Sequence, residues 1–336
     1  MNILVTGGGG FLGQYLVERL VARGDRVRSF GRKAYPALEK LGVEVVRGDL
    51  RDEYAVQAAC QGMETVFHTA ALPGIQCQWK PFYKTNTLGT FTVINGCLAH
   101  GVKYLIYTGS PSCVFDGKSQ ENVDESAPYP TRWLAHYPHS KALAEQAVLQ
   151  ANGPKLLTCS LRPHLIWGPR DQHLIPRLLD RARRGRLVQV GDGENLVDQI
   201  YVENAAAAHI QAANALAGHA RNAGKAYFLS QGVPVNCWEW INEILQLAGL
   251  EPVKRKIPFR LAWTIGAGLE TLYRCLNLHG EPPMTRFLAA QLAQHHYFNI
   301  SAAKKDFGYE PEISMEEGMK RIFSGPSYDR EQDSDG

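Results

Sequence analysis

Met1-Asn2-Ile3-Leu4-Val5-Thr6-Gly7-Gly8-Gly9-Gly10-Phe11-Leu12-Gly13 opens the chain, and its reading decides the fold. Ile3, Leu4 and Val5 make an apolar run of strand length. Four glycines follow, and residues 14–23 then repeat apolar positions at helical spacing. Strand, glycine turn and helix is the order that a dinucleotide fold needs at its first crossover. In this reading Gly7 makes the tight turn. Gly10 removes a side chain so that backbone can approach a pyrophosphate, and Gly13 lets the helix pack close to the strand. Phe11 and Leu12 complete the candidate cofactor-binding turn ahead of the helix, whose free N–H groups and positive dipole end attract phosphate. A glycine-rich turn without a ligand is the bland alternative, and the flanking strand and helix weigh against it.

The bulk properties bound the rest. The 336 residues suffice for one large domain or two modest ones, and a hydrophobic content of 45% supports a sizeable core. Lys and Arg number 36 against 33 Asp and Glu, a net charge of +3. Such a balance lacks the concentrated basic face of a nucleic-acid binder. Seven cysteines are scattered without a Cys-x-x-Cys pair, which argues against a metal site or a disulfide framework and for a reducing, cytoplasmic setting. No secretory leader is read before the first strand. The longest apolar window, 259–278, contains Arg260, Glu270 and Arg274. Charges are costly at bilayer depth, so this window suits a membrane surface better than a span.

Residues 26–30 read as the second strand. An NAD-preferring site would place an acidic residue near its end to hold the ribose hydroxyls. The chain has Gly31-Arg32-Lys33 there. Arg32 and Lys33 can pair with a 2′-phosphate, so NADP(H) is expected over NAD(H). A third strand, 43–50, ends at Asp49 and Leu50, where an adenine ring would be clamped. Asp49 is equally placed to cap a helix over 52–60. A fourth strand, 65–71, ends in small residues, and Ala70 among them leaves room for a cofactor. His68 reads as a packed strand-end residue.

A helix over 83–100 with Asn86, a strand over 102–107, a helix over about 137–151 and a strand over 156–161 continue the alternation. The last strand ends at Arg162-Pro163. The rhythm predicts an α/β fold with a doubly wound parallel sheet. Beyond it, 171–186 reads as a basic helix, with Arg177, Arg181, Arg183, Arg184 and Arg186 on or just after it. Most of these should form a solvated face, and one could reach a carboxylate. Short strands at 188–193 and 197–202, a helix at 204–216, a strand at 227–230, and helices at 238–248 and 259–278 follow. The expected division is a dinucleotide-binding domain of 1–165 and 196–230, and a smaller, mostly helical substrate domain of 166–195 and 231–324. A polar tail, 325–336, is expected to be disordered. Residues 259–278 could wall an apolar tunnel, lie on a membrane or be plain core.

Tyr137-Pro138-His139-Ser140-Lys141 carries the chemistry. Residues four apart on a helix share a face, so Tyr137 and Lys141 can point together. A phenol is a poor acid or base at neutral pH, and a neighbouring ammonium favours its ionised form. Tyr137 can then pass a proton to a carbonyl oxygen or take one from an alcohol. Pro138 is tolerated in the first helical turn. Ser110 ends the preceding strand and offers a hydroxyl to the same oxygen. Ser112, two residues on, is the alternative, or both hydroxyls face the pocket. Taken alone, Tyr-x-x-x-Lys is a common helix start; the company of Ser110 raises it.

On the evidence of residues 6–13, Asp49-Leu50, Ser110, Tyr137 with Lys141, and Arg162-Pro163, in this order, the chain resembles the extended short-chain dehydrogenases. The resemblance implies that Ser110 and Tyr137 handle the substrate oxygen. It also implies that Lys141 supports Tyr137 and that Pro163 lies against the nicotinamide. Thr285-Arg286-Phe287 and the run from Tyr297 to Pro311 are similar to the 3β-hydroxysteroid/sterol dehydrogenase branch. Leu165-Ile166-Trp167-Gly168-Pro169, Val190-Gly191-Asp192-Gly193 and Gly280-Glu281-Pro282-Pro283 resemble bacterial members of it that reduce long-chain β-keto acids. The implied reaction is NADPH-dependent reduction of a 3-keto group beside an alkylated carbon bearing a carboxylate. A 3β-hydroxysteroid or sterol dehydrogenase is the alternative. A nucleotide-sugar epimerase, or a regulator that binds NADP without catalysis, ranks below. A lipid-like small-molecule substrate, contact with a membrane or a pathway enzyme, and a homodimer are the partners the resemblance implies.

Overall fold

Ile3, Leu4 and Val5 are fully buried, as in a strand covered on both faces by helices. They lie in β1 (Asn2–Thr6) of a parallel sheet. The structure is a computed structural model that describes residues 1–75, 77–278 and 280–323. The tail expected at 325–336 lies outside the described residues. The sheet continues with β2 (Arg26–Gly31), β3 (Glu44–Arg47), β4 (Thr65–His68), β5 (Tyr104–Thr108), β6 (Leu157–Pro163) and β7 (Lys225–Leu229). Their order is β7-β6-β5-β4-β1-β2-β3, with every pair parallel. This is the expected doubly wound sheet. Its order reverses between β1 and β4, and a ligand crevice forms at such a point, beyond the carboxyl ends of the strands.

Helices close both faces. On one side α1 (Phe11–Ala22) buries Leu12, Leu16, Val17 and Leu20. It packs on a second helix, Val202–Ala217, whose inner face is largely alanine and so admits close approach. On the other side α2 (Glu53–Cys60) and α3 (Gly89–Ala99) join α4 (His136–Gln150) over Leu4, Val66 and Leu105. A separate core holds Trp167, Ile175, Leu179, Trp238, Trp240 and Ile244. A small second sheet brings Gln120–Val123 beside His296–Phe298. Gln120–Val123 has no strand pattern in the sequence, because only Gln120 of its four residues is buried.

Several expected boundaries shift for local reasons. The strand at 65–71 ends at His68. Asp52, not Asp49, caps α2, accepting the Ala55 N–H at 3.1 Å. The basic helix α5 runs only from Leu174 to Arg183. Asp171 lies before it as a turn residue whose carboxylate accepts the N–H groups of His173, Leu174 and Ile175. A carboxylate in that place satisfies donors that have no partner within the helix. The helix at 83–100 begins as a π-helical turn, Tyr83–Leu88, before becoming α3.

Candidate active site

The glycine turn sits at the crevice. Gly7 adopts φ +73°, and its N–H donates to the Phe30 carbonyl at 2.8 Å. A Cβ there would lie 2.8 Å from the Ala70 Cα, so β1 and the chain after β4 touch through missing side chains. Gly13 differs from expectation. Its Cβ would lie 2.1 Å from the Gly7 carbonyl oxygen and 2.8 Å from the Gly8 Cα, so the close packing is of helix on turn, not helix on strand. The first turn of α1 carries no acidic side chain, and Gly10 offers no side-chain cap. These N–H groups therefore stay available to an anion, and the cradle fits a dinucleotide phosphate.

One cleft of about 1310 Å³ runs from this turn to the reactive residues. Gly7, Gly10, Phe11, Leu12, Gly13, Arg32, Lys33, Asp49, Leu50, Ala70, Ser110, Tyr137, Lys141 and Pro163 all line it. Arg32 and Lys33 are exposed, and neither joins an ion pair among the described residues. Asp49 is taken by Arg51 through bonds of 2.9 and 2.7 Å, and this guanidinium holds its carboxyl below the usual range. A smaller recess of about 230 Å³ shares Ser110, Tyr137, Pro163 and Leu165 with the cleft. Phe115, Phe287 and Phe298 make its walls apolar. No residue of 259–278 lines either cavity.

The Ser110 and Ser112 hydroxyls bond each other at 2.8 Å. Ser110 lines both cavities and hydrogen-bonds the Tyr137 phenol, whereas Ser112 lines only the recess. Lys141 donates from Nζ to the Thr108 carbonyl at 2.6 Å and lies over the Tyr107 ring at 4.2 Å. The electrostatics depart from the simple expectation. Burial pushes the Tyr137 phenol up to about 12, against the lowering effect of the Ser110 bond. Burial also brings Lys141 down to about 7, partly offset by Glu145. Desolvation penalises both charged forms, and it is the largest cause of each shift.

Beneath Lys141, one helical turn on, lies Glu145, fully buried. It accepts bidentate bonds from Arg162 (2.7 to 3.1 Å) and bonds from Ser160 at 2.6 Å and Tyr129 at 2.8 Å. Burial alone would raise its pKa, but Arg162 and these hydroxyls bring it below the ordinary value. Sequence reading missed this pair. The available signal was a carboxylate at i+4 from Lys141, on the helix face turned to the sheet. Asn86 was also left without a role. From the π turn its Oδ1 accepts the Leu72 N–H at 2.7 Å, and its Nδ2 donates to the Ser140 Oγ at 3.0 Å. It therefore ties the chain after β4 to α4. His68 is packed as expected: the Thr6 hydroxyl bonds Nδ1 at 2.7 Å and Nε2 bonds Thr90 at 2.9 Å.

The model of the 3-beta hydroxysteroid dehydrogenase/isomerase family matches residues 4–260. A 2-alkyl-3-oxoalkanoate reductase of Stenotrophomonas maltophilia is 48% identical over 326 residues, covering 96% of this chain and 98% of the relative. The mouse decarboxylating sterol-4-alpha-carboxylate 3-dehydrogenase is 38% identical over 322 residues, covering 94% and 88%. Among solved structures, a Thermus thermophilus UDP-glucose 4-epimerase in complex with NAD superposes with a TM-score of 0.74 at 23% identity, covering 96% and 97%. That last likeness is one of fold.

Proposed function

This chain belongs to the 3-beta hydroxysteroid dehydrogenase/isomerase family of NAD(P)-dependent oxidoreductases acting on CH–OH groups, and from that premise we propose that it reduces 2-alkyl-3-oxoalkanoic acids to 2-alkyl-3-hydroxyalkanoic acids with NADPH. The observation that carries the reading is the junction at Ser110 and Tyr137. There the cleft from the phosphate turn opens into a recess walled by Phe115, Phe287 and Phe298. A ketone held at that junction has a cofactor site on one side and an apolar chamber for an alkyl chain on the other. The near-complete likeness to a relative named for this reaction supports the substrate.

In this reading Ser110 donates to the substrate oxygen and fixes its position. Tyr137 gives its proton to that oxygen in reduction and takes it back in oxidation. Lys141, anchored on Thr108, presents its remaining donors to the tyrosine and to a ribose. Pro163, which lines the cleft beside Tyr137, would form part of the wall for a nicotinamide ring. When bound, the nicotinamide supplies the hydride. Arg32 and Lys33, exposed just after β2 and lining the cleft, favour a 2′-phosphate and hence NADP(H). The substrate part we assign to 166–195 and 231–324, supported by the separate tryptophan-rich core.

The test follows reduced-cofactor absorbance during oxidation of long-chain 2-alkyl-3-hydroxy acids beside 3β-hydroxysteroids, each with NADP⁺ and with NAD⁺. Turnover of the acids with NADP⁺ is the expected result. Turnover of the steroids alone would move the chain to sterol chemistry, a reading the mouse relative favours.

A further inference from the structure

The structure separates the five arginines at α5. Among them only Arg177 lines the cleft that ends at Ser110 and Tyr137. Arg181 reaches the Pro283 carbonyl at 3.3 Å, and Arg184 pairs with Asp180 at 2.8 Å. Arg177 is itself held by a carboxylate that stands in the cleft. One oxygen of Glu281 lies 2.9 Å from its Nη1, and the other accepts the Ile75 N–H at 3.1 Å. Glu281 thus bridges α5 and the chain after β4. The arginine side chain is 58% exposed, so exchanging its partner requires no part of the core to open.

No lysine or arginine lines the recess, so it offers an anion no fixed positive charge. Gln120 already donates its amide to the Val114 carbonyl at 2.8 Å, and its buried Oε1 has no partner. His296 bonds the Gln291 carbonyl through Nε2 at 2.7 Å. A carbonyl only accepts, so Nε2 carries the proton and the partnerless Nδ1 is a bare lone pair. Burial keeps that imidazole neutral near pH 7, with a pKa of about 4. Lone pairs repel a carboxylate. An acidic substrate whose ketone sits at Ser110 and Tyr137 therefore finds cationic side chains only on the side of the cleft, where Arg177 lies.

We propose that Arg177 is the receptor for the substrate carboxylate, and that Glu281 occupies it in the free chain as an internal stand-in which the substrate displaces. The proposal rests on the β-keto-acid reading of the function. It makes the two halves of one ion pair act in opposite senses. Removing the arginine removes the receptor, and removing the glutamate removes a competitor. A pair that merely clasped two segments together would give both variants the same defect.

The experiment measures oxidation of a 2-alkyl-3-hydroxy acid and of its methyl ester with NADP⁺, in the full chain and in Arg177→Gln, Arg177→Lys and Glu281→Gln. In Arg177→Gln the acid-to-ester ratio of kcat/KM falls about tenfold, the worth of one charge-assisted hydrogen bond. The loss lies in KM for the acid, and Arg177→Lys restores part of it. Glu281→Gln lowers KM for the acid. An unchanged ratio in Arg177→Gln overturns the proposal while leaving the function intact, as does a parallel loss in both variants. A rise confined to KM for NADP⁺ would assign Arg177 to the cofactor instead. An unaltered chain that prefers the ester, or turns over neither compound, overturns the acid reading and the proposal together.

Discussion

Tyr137 and Lys141 are driven toward neutrality by the same enclosure, the phenol to about 12 and the ammonium to about 7. A neutral phenol is the form that can protonate a ketone, so Tyr137 is poised for reduction. Tyr137→Phe should cut turnover by ~10²–10⁴-fold, the usual worth of a positioned proton donor, while NADPH still binds by fluorescence titration. Unchanged turnover would remove Tyr137 from the mechanism. Glu145 acts one residue further in. Its charge favours the Lys141 ammonium from below. Losing it should shift the alkaline limb of kcat/KM to lower pH, because the free lysine then deprotonates sooner. Glu145→Gln also leaves Arg162 buried without its counter-charge, at a cost of about 3–5 kcal/mol, so its melting temperature should fall as well. A lower melting temperature with an unmoved pH limb would make Glu145 purely structural.

At the scale of the element, the sequence marked the strand-turn-helix opening and the Tyr137–Lys141 turn because period and spacing carry them. It could not say what Phe259–Cys275 does. Its composition suits a tunnel wall, a core helix or a surface helix, and those differ only in which face has a neighbour. The structure buries just Ala262, Gly266 and Glu270 of it. Glu270 binds Arg286 at 2.7 Å, and the next residue, Phe287, lines the recess. The helix therefore supports the recess through the Thr285–Phe287 signature without lining it. Its other face exposes Leu261, Ile265, Leu272 and Leu276, a stripe at four-, seven- and four-residue steps, with Arg260 and Arg274 exposed on the same element. Among the described residues no helix is long and apolar enough to cross a membrane. An apolar stripe with basic neighbours suits an interface bearing anionic lipid. The chain should co-sediment with vesicles containing phosphatidylglycerol, and Ile265→Ser with Leu272→Ser should abolish this. A stripe that instead joins two copies would show as a mass change by light scattering, without sedimentation.

Over the whole molecule, the α/β class and the glycine-lined end of the cleft were legible because backbone conformation is written in glycines and apolar periods. The support beneath the site was not. Glu145–Arg162, Asn86–Ser140 and Arg177–Glu281 join residues 17, 54 and 104 positions apart, and such pairings follow from the assembled sheet rather than from any local pattern. The same assembly buries imidazoles where they cannot ionise, and this fixes how the molecule meets acid. His68 is held down to about 3, His209 and His296 to about 4, and His164 well below its ordinary value, each by burial. A histidine in the unfolded chain gains its proton near pH 6.5. Between these values only the unfolded state is protonated, so lowering the pH favours unfolding. Asp198 opposes them: burial raises its carboxyl to about 6, and at pH 5 the folded state holds a proton there that the unfolded chain releases. The four buried imidazoles outweigh this one carboxyl, so together these groups take up protons on unfolding at pH 5. Thermal melts should therefore fall steeply from pH 6.5 toward pH 4.5. A level melting temperature across that range would mean that these imidazoles are charged in the folded chain, and the sheet would then have to hold counter-charges that the hydrogen bonds of His68, His209 and His296 do not supply.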